Sequence, residues 1–396
     1  PKPSSAASDV YKRQPYGRQS ISDADVKAVV DTLQSDFLTQ GPAIPAFEEA
    51  LAKYCKVPYA IAVNSATSAL HIACLALDVK AGDRVWTSPI SFVASANCAL
   101  YCGAKVDFVD VEPDTGLMSV KALAAKLQQA AANNTLPKVL IPVHLAGHSC
   151  AMQQIATLCQ PYGIRIIEDA SHAIGGSYQQ NKIGSCQFSD ITVFSFHPVK
   201  IITTAEGGAA LTKDMALAAR MQLLRSHGIT RNPDDMTEVS HGPWYYQQID
   251  LGLNYRMTDL QAALGLSQLK RLDIFVNQRI EAVANYSALL QNLALDLPQE
   301  CSTGQSSWHL YIVRLHDENL RLSTFETLRA AGIGVNVHYI PIHTQPYYQK
   351  LGFQWGDFPQ AEYFYSRIIS LPLYADLTQK SQDYVASVLK KIPGLQ

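Results

Sequence analysis

Lys200 stands in the segment DITVFSFHPVKIITTAEGGAAL, where an apolar strand ends near Phe196 and a turn opens at Pro198. An amine among apolar neighbours loses part of its preference for the charged form and becomes a usable nucleophile. Gly207 and Gly208 follow Glu206 and give the backbone room to turn into the next strand. Asp169 ends another apolar strand in IRIIEDASHAIGG, with His172 three residues on. Ligands of open α/β sheets bind outside such strand ends, and a carboxylate there can keep a ring nitrogen protonated. In NSATSALHIACLAL a strand ends at Val63 and a helix starts near Ala66. The free N–H groups of that helix start favour a phosphate, and Ser65 and Thr67 add hydroxyls. Each group has a plainer reading. Ser65 and Thr67 are common helix caps. Asp169 can cap a helix, His172 can be a satisfied core histidine, and an isolated lysine is usually a surface residue.

In combination the three groups supply a phosphate cradle, an acid for a pyridinium nitrogen and an amine for an aldehyde. Those are the requirements of pyridoxal 5'-phosphate (PLP).

The elements that must position these groups alternate. Ser22 reads as the N-cap of a helix, with Asp25 three residues on and Val26, Val29, Val30 and Leu33 at helical spacing. PAFEEALAKYC is a second helix after the polar segment SDFLTQGP. AIAV, RVWTS, KVDFVDV, KVLIPV, IRIIED, DITVFSF and GGAALT read as strands, and TSALHIACLAL, SFVASANCALYC and AMQQIATLCQPYG as helices between them. Short apolar strands spaced by helices predict an α/β fold with a mostly parallel sheet covered on both faces. The run LQAALGLSQLKRLDIFVNQRIEAVANYSALLQ is helical, and after it the pattern changes. WHLYIVRL and GVNVHYIP read as strands and TFETLRAAG and SQDYVASVLKKI as helices, which predicts a smaller α+β domain. The expected organisation is a leader over residues 1–14, a large domain over 15–274 and a small domain over 275–396. The leader, PKPSSAASDVYKRQ, has neither a clear period nor the apolar core of a signal peptide and reads as disordered.

The bulk numbers fit a core-forming globular chain. Of 396 residues, 47% are apolar and 17% charged, and the formal net charge of -2 argues against a nucleic-acid surface or a polybasic membrane patch. No stretch approaches the roughly 20 apolar residues of a membrane span. The eight cysteines, Cys55, Cys74, Cys98, Cys102, Cys150, Cys159, Cys186 and Cys301, form no C-x-x-C pair. They read as small buried hydrophobes, with no metal site and a reducing cytoplasm as the expected compartment.

The motifs LTQGPAIPAFEEAL, NSATSALH, TSPISFVASANC, EDASHAIG, FSFHPVKIITTAEGG and RSHGI together resemble the DegT-type sugar-nucleotide aminotransferases over about residues 15–396. The resemblance implies PLP-dependent transferase fold type I, the aspartate-aminotransferase-like architecture. It implies Lys200 as the Schiff-base lysine, Asp169 against the pyridinium nitrogen, Phe92 stacked on the ring and His172 near the ring hydroxyl. Ser65, Ala66, Thr67 and Ser195 would hold the phosphate. Asn254 in GLNYRM would reach the phosphate of a partner subunit, making the active site a homodimer interface. Tyr16, Phe37, Leu38, Thr39, His338 and Tyr339 would contact the sugar nucleotide. LTQG, PISFVA, SFHPVKIITTAEGG and VHYIPI are most similar to the members serving pseudaminic acid synthesis. That similarity implies L-glutamate as donor, 2-oxoglutarate as its product and a UDP-linked 4-keto-6-deoxy-N-acetylhexosamine as acceptor, with another 4-keto sugar nucleotide, such as a UDP-4-ketopentose, as the alternative acceptor. Dehydratases on this fold carry histidine in place of the lysine, and regulatory relatives lack the lysine or the aspartate. Both residues are present here. The segment RNPDDMTEVSHGPWYYQQID reads equally as a lid or a surface loop.

Overall fold

The computed structural model describes residues 14–300 and 303–396. Residues 1–13 of the expected leader, and Cys301, lie outside the described residues. Seven strands form the central sheet: β1 (Tyr59–Val63), β2 (Arg84–Thr87), β3 (Lys105–Phe108), β4 (Val139–Ile141), β5 (Arg165–Asp169), β6 (Ile191–Ser195) and β7 (Gly208–Thr212). Their order is β1-β7-β6-β5-β4-β2-β3. Strand β7 runs antiparallel to β1 and β6. Every other pair is parallel. Strands β4, β6 and β7 are buried at every residue, as their unbroken apolar runs require of strands covered on both faces.

Helices α1 (Asp23–Leu33), α2 (Ala43–Cys55), α3 (Ala66–Ala76), α4 (Ala94–Tyr101), α5 (Val120–Ala132), α6 (Met152–Cys159) and α7 (Met215–Leu224) pack around the sheet. Ser22 caps α1 as expected, with a capping box closed by Asp25. Helices α5 and α7 extend the list read from the sequence. The expected single helical run divides into α8 (Asp259–Leu269) and α9 (Leu272–Leu290). At the break Arg271 leaves helical geometry, and its guanidinium donates to the Ser20 carbonyl at 2.7 Å and pairs with Asp25 at 3.3 Å.

Helix α9 serves two cores. Leu272, Phe275 and Val276 pack with Phe194 and Phe196, whereas Ala282, Tyr286 and Leu290 join Tyr311, Val313 and Ile369. The second core belongs to a three-stranded antiparallel sheet of β8 (Leu295–Asp296), β9 (Tyr311–Leu315) and β10 (Ile368–Leu371), with α10 (Arg321–Ala330) and α12 (Gln379–Leu389), whereas α11 (Pro359–Arg367) turns Ala361 and Phe364 into the core of the central sheet. The expected boundary at residues 274/275 falls inside α9.

Two local readings are corrected. GVNVHYIP is not a strand. Asn336 pairs once with Ser370, and the chain then leaves the sheet. Residues 336–340 all line one cavity, which alternating strand side chains do not do. Gln14, expected in the leader, forms a parallel bridge to Ile333, with its N–H on the Gly332 carbonyl at 3.0 Å.

Candidate active site

Strands β1, β5 and β6 end on one side of the sheet, and the loops after them surround a cavity of about 670 Å³. That volume is in the range of small-ligand sites. Eleven of the fifteen residues singled out from the sequence line it: Ser65, Ala66, Thr67, Phe92, Asp169, His172, Ser195, Lys200, Tyr16, His338 and Tyr339. Phe37, Leu38, Thr39 and Asn254 are not among its lining residues. Phe37 and Leu38 are 52% and 47% exposed. Thr39 bridges Thr258, and Asn254 bridges Ser226 with an exposed side chain.

The cradle is built by α3. Ser65 has extended backbone and its hydroxyl caps the helix, accepting the Ser68 amide at 3.1 Å. The amides of Ala66 and Thr67 lie in the first turn, where a helix offers no internal acceptor. Gly208 pairs with Val63 beside them, and a Cβ on Gly208 would come within 2.5 Å of the Ala66 nitrogen. The close approach of β7 to this turn therefore requires glycine.

Asp169 is buried at the end of β5. Its Oδ1 accepts the Ser171 amide at 3.1 Å and its Oδ2 accepts the Ser95 hydroxyl at 2.5 Å. Each oxygen keeps lone-pair capacity for a further donor. The adjacent Glu168 faces the opposite way, where it accepts from His144 at 2.7 Å, Ser189 at 2.5 Å and Thr192 at 3.2 Å. This satisfied network anchors β5 from behind. Burial lowers the Lys200 amine to about 8, with the Asp169 charge opposing that shift.

The third wall comes from the 336–340 segment and Tyr16. His338 donates from Nδ1 to Ser370 Oγ at 2.8 Å, and its Nε2 accepts from Asn336 at 3.4 Å. Burial, reinforced by the Lys200 charge, lowers His338 to about 3. Tyr339 Oη lies 3.0 Å from His172 Nε2. Among the described residues no cluster of His, Cys, Asp and Glu fits a metal ion.

The profile of the DegT/DnrJ/EryC1/StrS aminotransferase family matches residues 19–390. The chain belongs to that family. As a DegT-type protein it is a PLP-dependent sugar aminotransferase with the aspartate-aminotransferase-like fold. It is 38% identical to the UDP-4-amino-4,6-dideoxy-N-acetyl-beta-L-altrosamine transaminase of Campylobacter jejuni, over 95% of this chain and 96% of that protein. The Helicobacter pylori aminotransferase PseC, involved in pseudoaminic acid biosynthesis, superposes with a TM-score of 0.87 at 35% identity, covering 96% of this chain and 98% of that one. The PLP form of a sugar aminotransferase from Streptococcus pneumoniae, described as putative, superposes at 0.85 with 30% identity, over 95% and 97% of the two chains.

The residues in hand fit this cofactor. Open helix amides stand where a phosphate needs them, a buried carboxylate retains acceptor capacity, and a lysine of lowered basicity shares their cavity. Residues that sequence reasoning missed are Ser95, Ser171 and Asn336. Ser95 carried a legible signal only in its place inside TSPISFVASANC; its partner Asp169 is remote in sequence.

Proposed function

We propose that this DegT-type aminotransferase moves the amino group of L-glutamate to C4 of a UDP-linked 4-keto-6-deoxy-N-acetylhexosamine. The product is UDP-4-amino-4,6-dideoxy-N-acetyl-β-L-altrosamine, and the second product is 2-oxoglutarate. The observation that carries the chemistry is the convergence of Lys200 and Asp169 in one cavity with the α3 amides. The identity of the sugar rests on the likeness to the named transaminase and to PseC.

When bound, PLP supplies an aldehyde and an electron-accepting pyridine ring. Lys200 holds that aldehyde through its Nζ. When free, Lys200 Nζ would serve as the base that moves the proton of the donor's α-carbon. Asp169 keeps a proton on the ring nitrogen through the capacity left on its carboxylate. The Ala66 and Thr67 amides, with the Ser65 and Ser195 hydroxyls, would hold the phosphate. Phe92, 60% exposed at the cavity wall, would pack against the ring, and His172 would lie near its hydroxyl. Tyr16, His338 and Tyr339 face the sugar.

Asn254, Phe37, Leu38 and Thr39 serve the site of a second copy in a homodimer. Their exposure outside this cavity supports that arrangement. So does the run Val26, Val30 and Leu33, 53%, 41% and 54% exposed on one face of α1. We read residues 15–274 and 275–396 as large and small domains that share α9. We also place the enzyme in the cytoplasm. No helix among the described residues is long and apolar enough to cross a membrane, and the seven described cysteines are free thiols.

The test is the visible absorption of the purified PLP-loaded protein. L-Glutamate should bleach the yellow form, and the UDP-linked 4-keto-6-deoxy-N-acetylhexosamine should restore it. Bleaching without recovery would replace the sugar and keep the aminotransferase. A folded protein that never turns yellow with PLP would overturn the role of Lys200.

A further inference from the structure

We propose that Tyr339 is a hydrogen-bond donor aimed at an oxygen of the bound ligand, with its proton direction fixed by the Ala146 amide acting through His172. The inference rests on the aminotransferase reading above for what fills the cavity.

The argument begins at the turn after β4. Ala146 has a φ of 59° and Gly147 a φ of 98°. This turn is wedged against the segment before β9. The Ala146 carbonyl accepts the His309 amide at 2.8 Å and the Leu310 amide at 3.3 Å, and a Cβ on Gly147 would stand 2.7 Å from Ser307 Oγ. Held so, the Ala146 N–H points at His172 Nδ1, 3.2 Å away. An N–H donates, so Nδ1 must present a lone pair. A ring turned over would set Cδ2 there and leave a buried amide without an acceptor, at a cost of about 1–3 kcal/mol.

A neutral imidazole carries one N–H, which therefore sits on Nε2. Burial, then the Lys200 and His338 charges, hold His172 well below the ordinary histidine range, so a second proton is disfavoured. The ring is further fixed by His309, 4.4 Å away between centroids, and by Ser307 Oγ, which donates to the His172 carbonyl at 3.0 Å. Nε2–H then donates to Tyr339 Oη at 3.0 Å. The phenol oxygen is the acceptor in that bond, which leaves its own proton for another partner. No second hydrogen-bond partner of Tyr339 Oη is found among the described residues, and Tyr339 lines the cavity with Lys200 and Asp169. Burial raises the phenol far above its ordinary range, so the proton stays on.

The contrast with His338 sharpens the assignment. Both nitrogens of His338 are engaged, on Ser370 and Asn336, so it has no proton to offer a ligand. Of the two adjacent residues, Tyr339 alone keeps a donor. Its partner is an oxygen of high electron density. Two sources fit: the phenolic oxygen of the cofactor and the carbonyl oxygen of the keto sugar.

The experiment has two arms. In the first, the full-length PLP-loaded protein is labelled with ¹⁵N-histidine, and the His172 ring signals are assigned by their loss in His172→Gln. A protonated Nε2 with a bare Nδ1 at neutral pH is expected; a protonated Nδ1 overturns the proposal whether or not variants fold. In the second, Tyr339→Phe is loaded with PLP and followed by visible absorption. A shift of the spectrum and its pH midpoint before any substrate is added assigns the cofactor oxygen. An unshifted spectrum, with sugar-driven recovery slowed about tenfold more than glutamate-driven bleaching, assigns the sugar oxygen. An unshifted spectrum with both phases slowed alike, or neither slowed, overturns the proposal. Wild-type protein that fails to bleach with glutamate sinks the aminotransferase reading instead, and the histidine spectrum still stands on its own.

Discussion

Ser95 Oγ donates to Asp169 Oδ2 across 2.5 Å, joining the start of α4 to the end of β5. Ser95 is itself held by Ser91, 2.6 Å away between hydroxyls. The carboxylate is therefore aimed by the first turn of a helix that starts just after Phe92 of the cavity wall.

Ser95→Ala removes one donor from a buried carboxylate. We expect kcat to fall about tenfold, with the KM for glutamate changed much less, because the loss affects orientation rather than donor binding. Steady-state kinetics on the PLP-loaded enzyme decide it. An unchanged kcat would mean that the Ser171 amide suffices.

Gly208→Ala forces a Cβ to within 2.5 Å of the Ala66 nitrogen and 2.6 Å of the Ser65 carbonyl carbon. Backbone atoms must yield, so the open amides turn away from the phosphate. PLP affinity should drop at least about tenfold, equivalent to about 1.4 kcal/mol. Absorbance titration of the cofactor-free protein measures it, and wild-type affinity would remove the α3 turn as the cradle.

The Lys200 amine, at about 8 when folded and 10.5 ordinarily, links stability to pH. Between those values the unfolded chain binds more protons than the folded one. The stability of cofactor-free protein therefore rises with pH across that window, and the penalty is fully present below pH 8. Lys200→Met should raise the Tm of cofactor-free protein by about 1 °C at pH 7, for a penalty of about 1 kcal/mol. The gain should shrink by pH 10. Calorimetry at the two pH values is the check; a constant difference would exclude titration as its origin.

Asp259 caps α2 from a distance. Its carboxylate accepts the amides of Gly41, Ala43 at 2.9 Å and Ile44 at 3.1 Å, while its own amide donates to Leu38 at 3.0 Å. Asp259→Ala should destabilise the protein by about 2 kcal/mol, read as a lower denaturant midpoint. Because the carboxylate fixes Gly41 directly after Phe37–Leu38–Thr39, the KM for the sugar nucleotide should rise more than the KM for glutamate. Equal KM values for wild type and variant would separate this loop from the sugar.

The sequence made Lys200 and Asp169 legible because Asp169 ends one apolar strand and Lys200 sits in the turn after another, and sheet ends collect on one side whatever the register. The Ser95–Asp169 bond was not legible, since nothing local to either residue reports the other. GVNVHYIP was misread because alternation of apolar and polar types mimics a strand, while the segment is held by a single pairing and turned toward the cavity. Phe37, Leu38, Thr39 and Asn254 sit outside the cavity of their own chain, a fact that depends on tertiary packing and has no signature in residue order. The break at Arg271 was hidden because the helical period continues across it, and only the docking of Ser20 and Asp25 interrupts it.

The bridge between Gln14 and Ile333 makes the cavity depend on a short stretch at residues 14–16. The Gln14 carbonyl accepts the Gly334 amide at 2.6 Å, and two residues later the Tyr16 carbonyl accepts the Leu373 amide at 3.0 Å. Tyr16 and the 336–340 wall are thereby stitched together by a few peptide groups. A protease cutting between Gly17 and Ile21 would free this stitch from covalent continuity with α1.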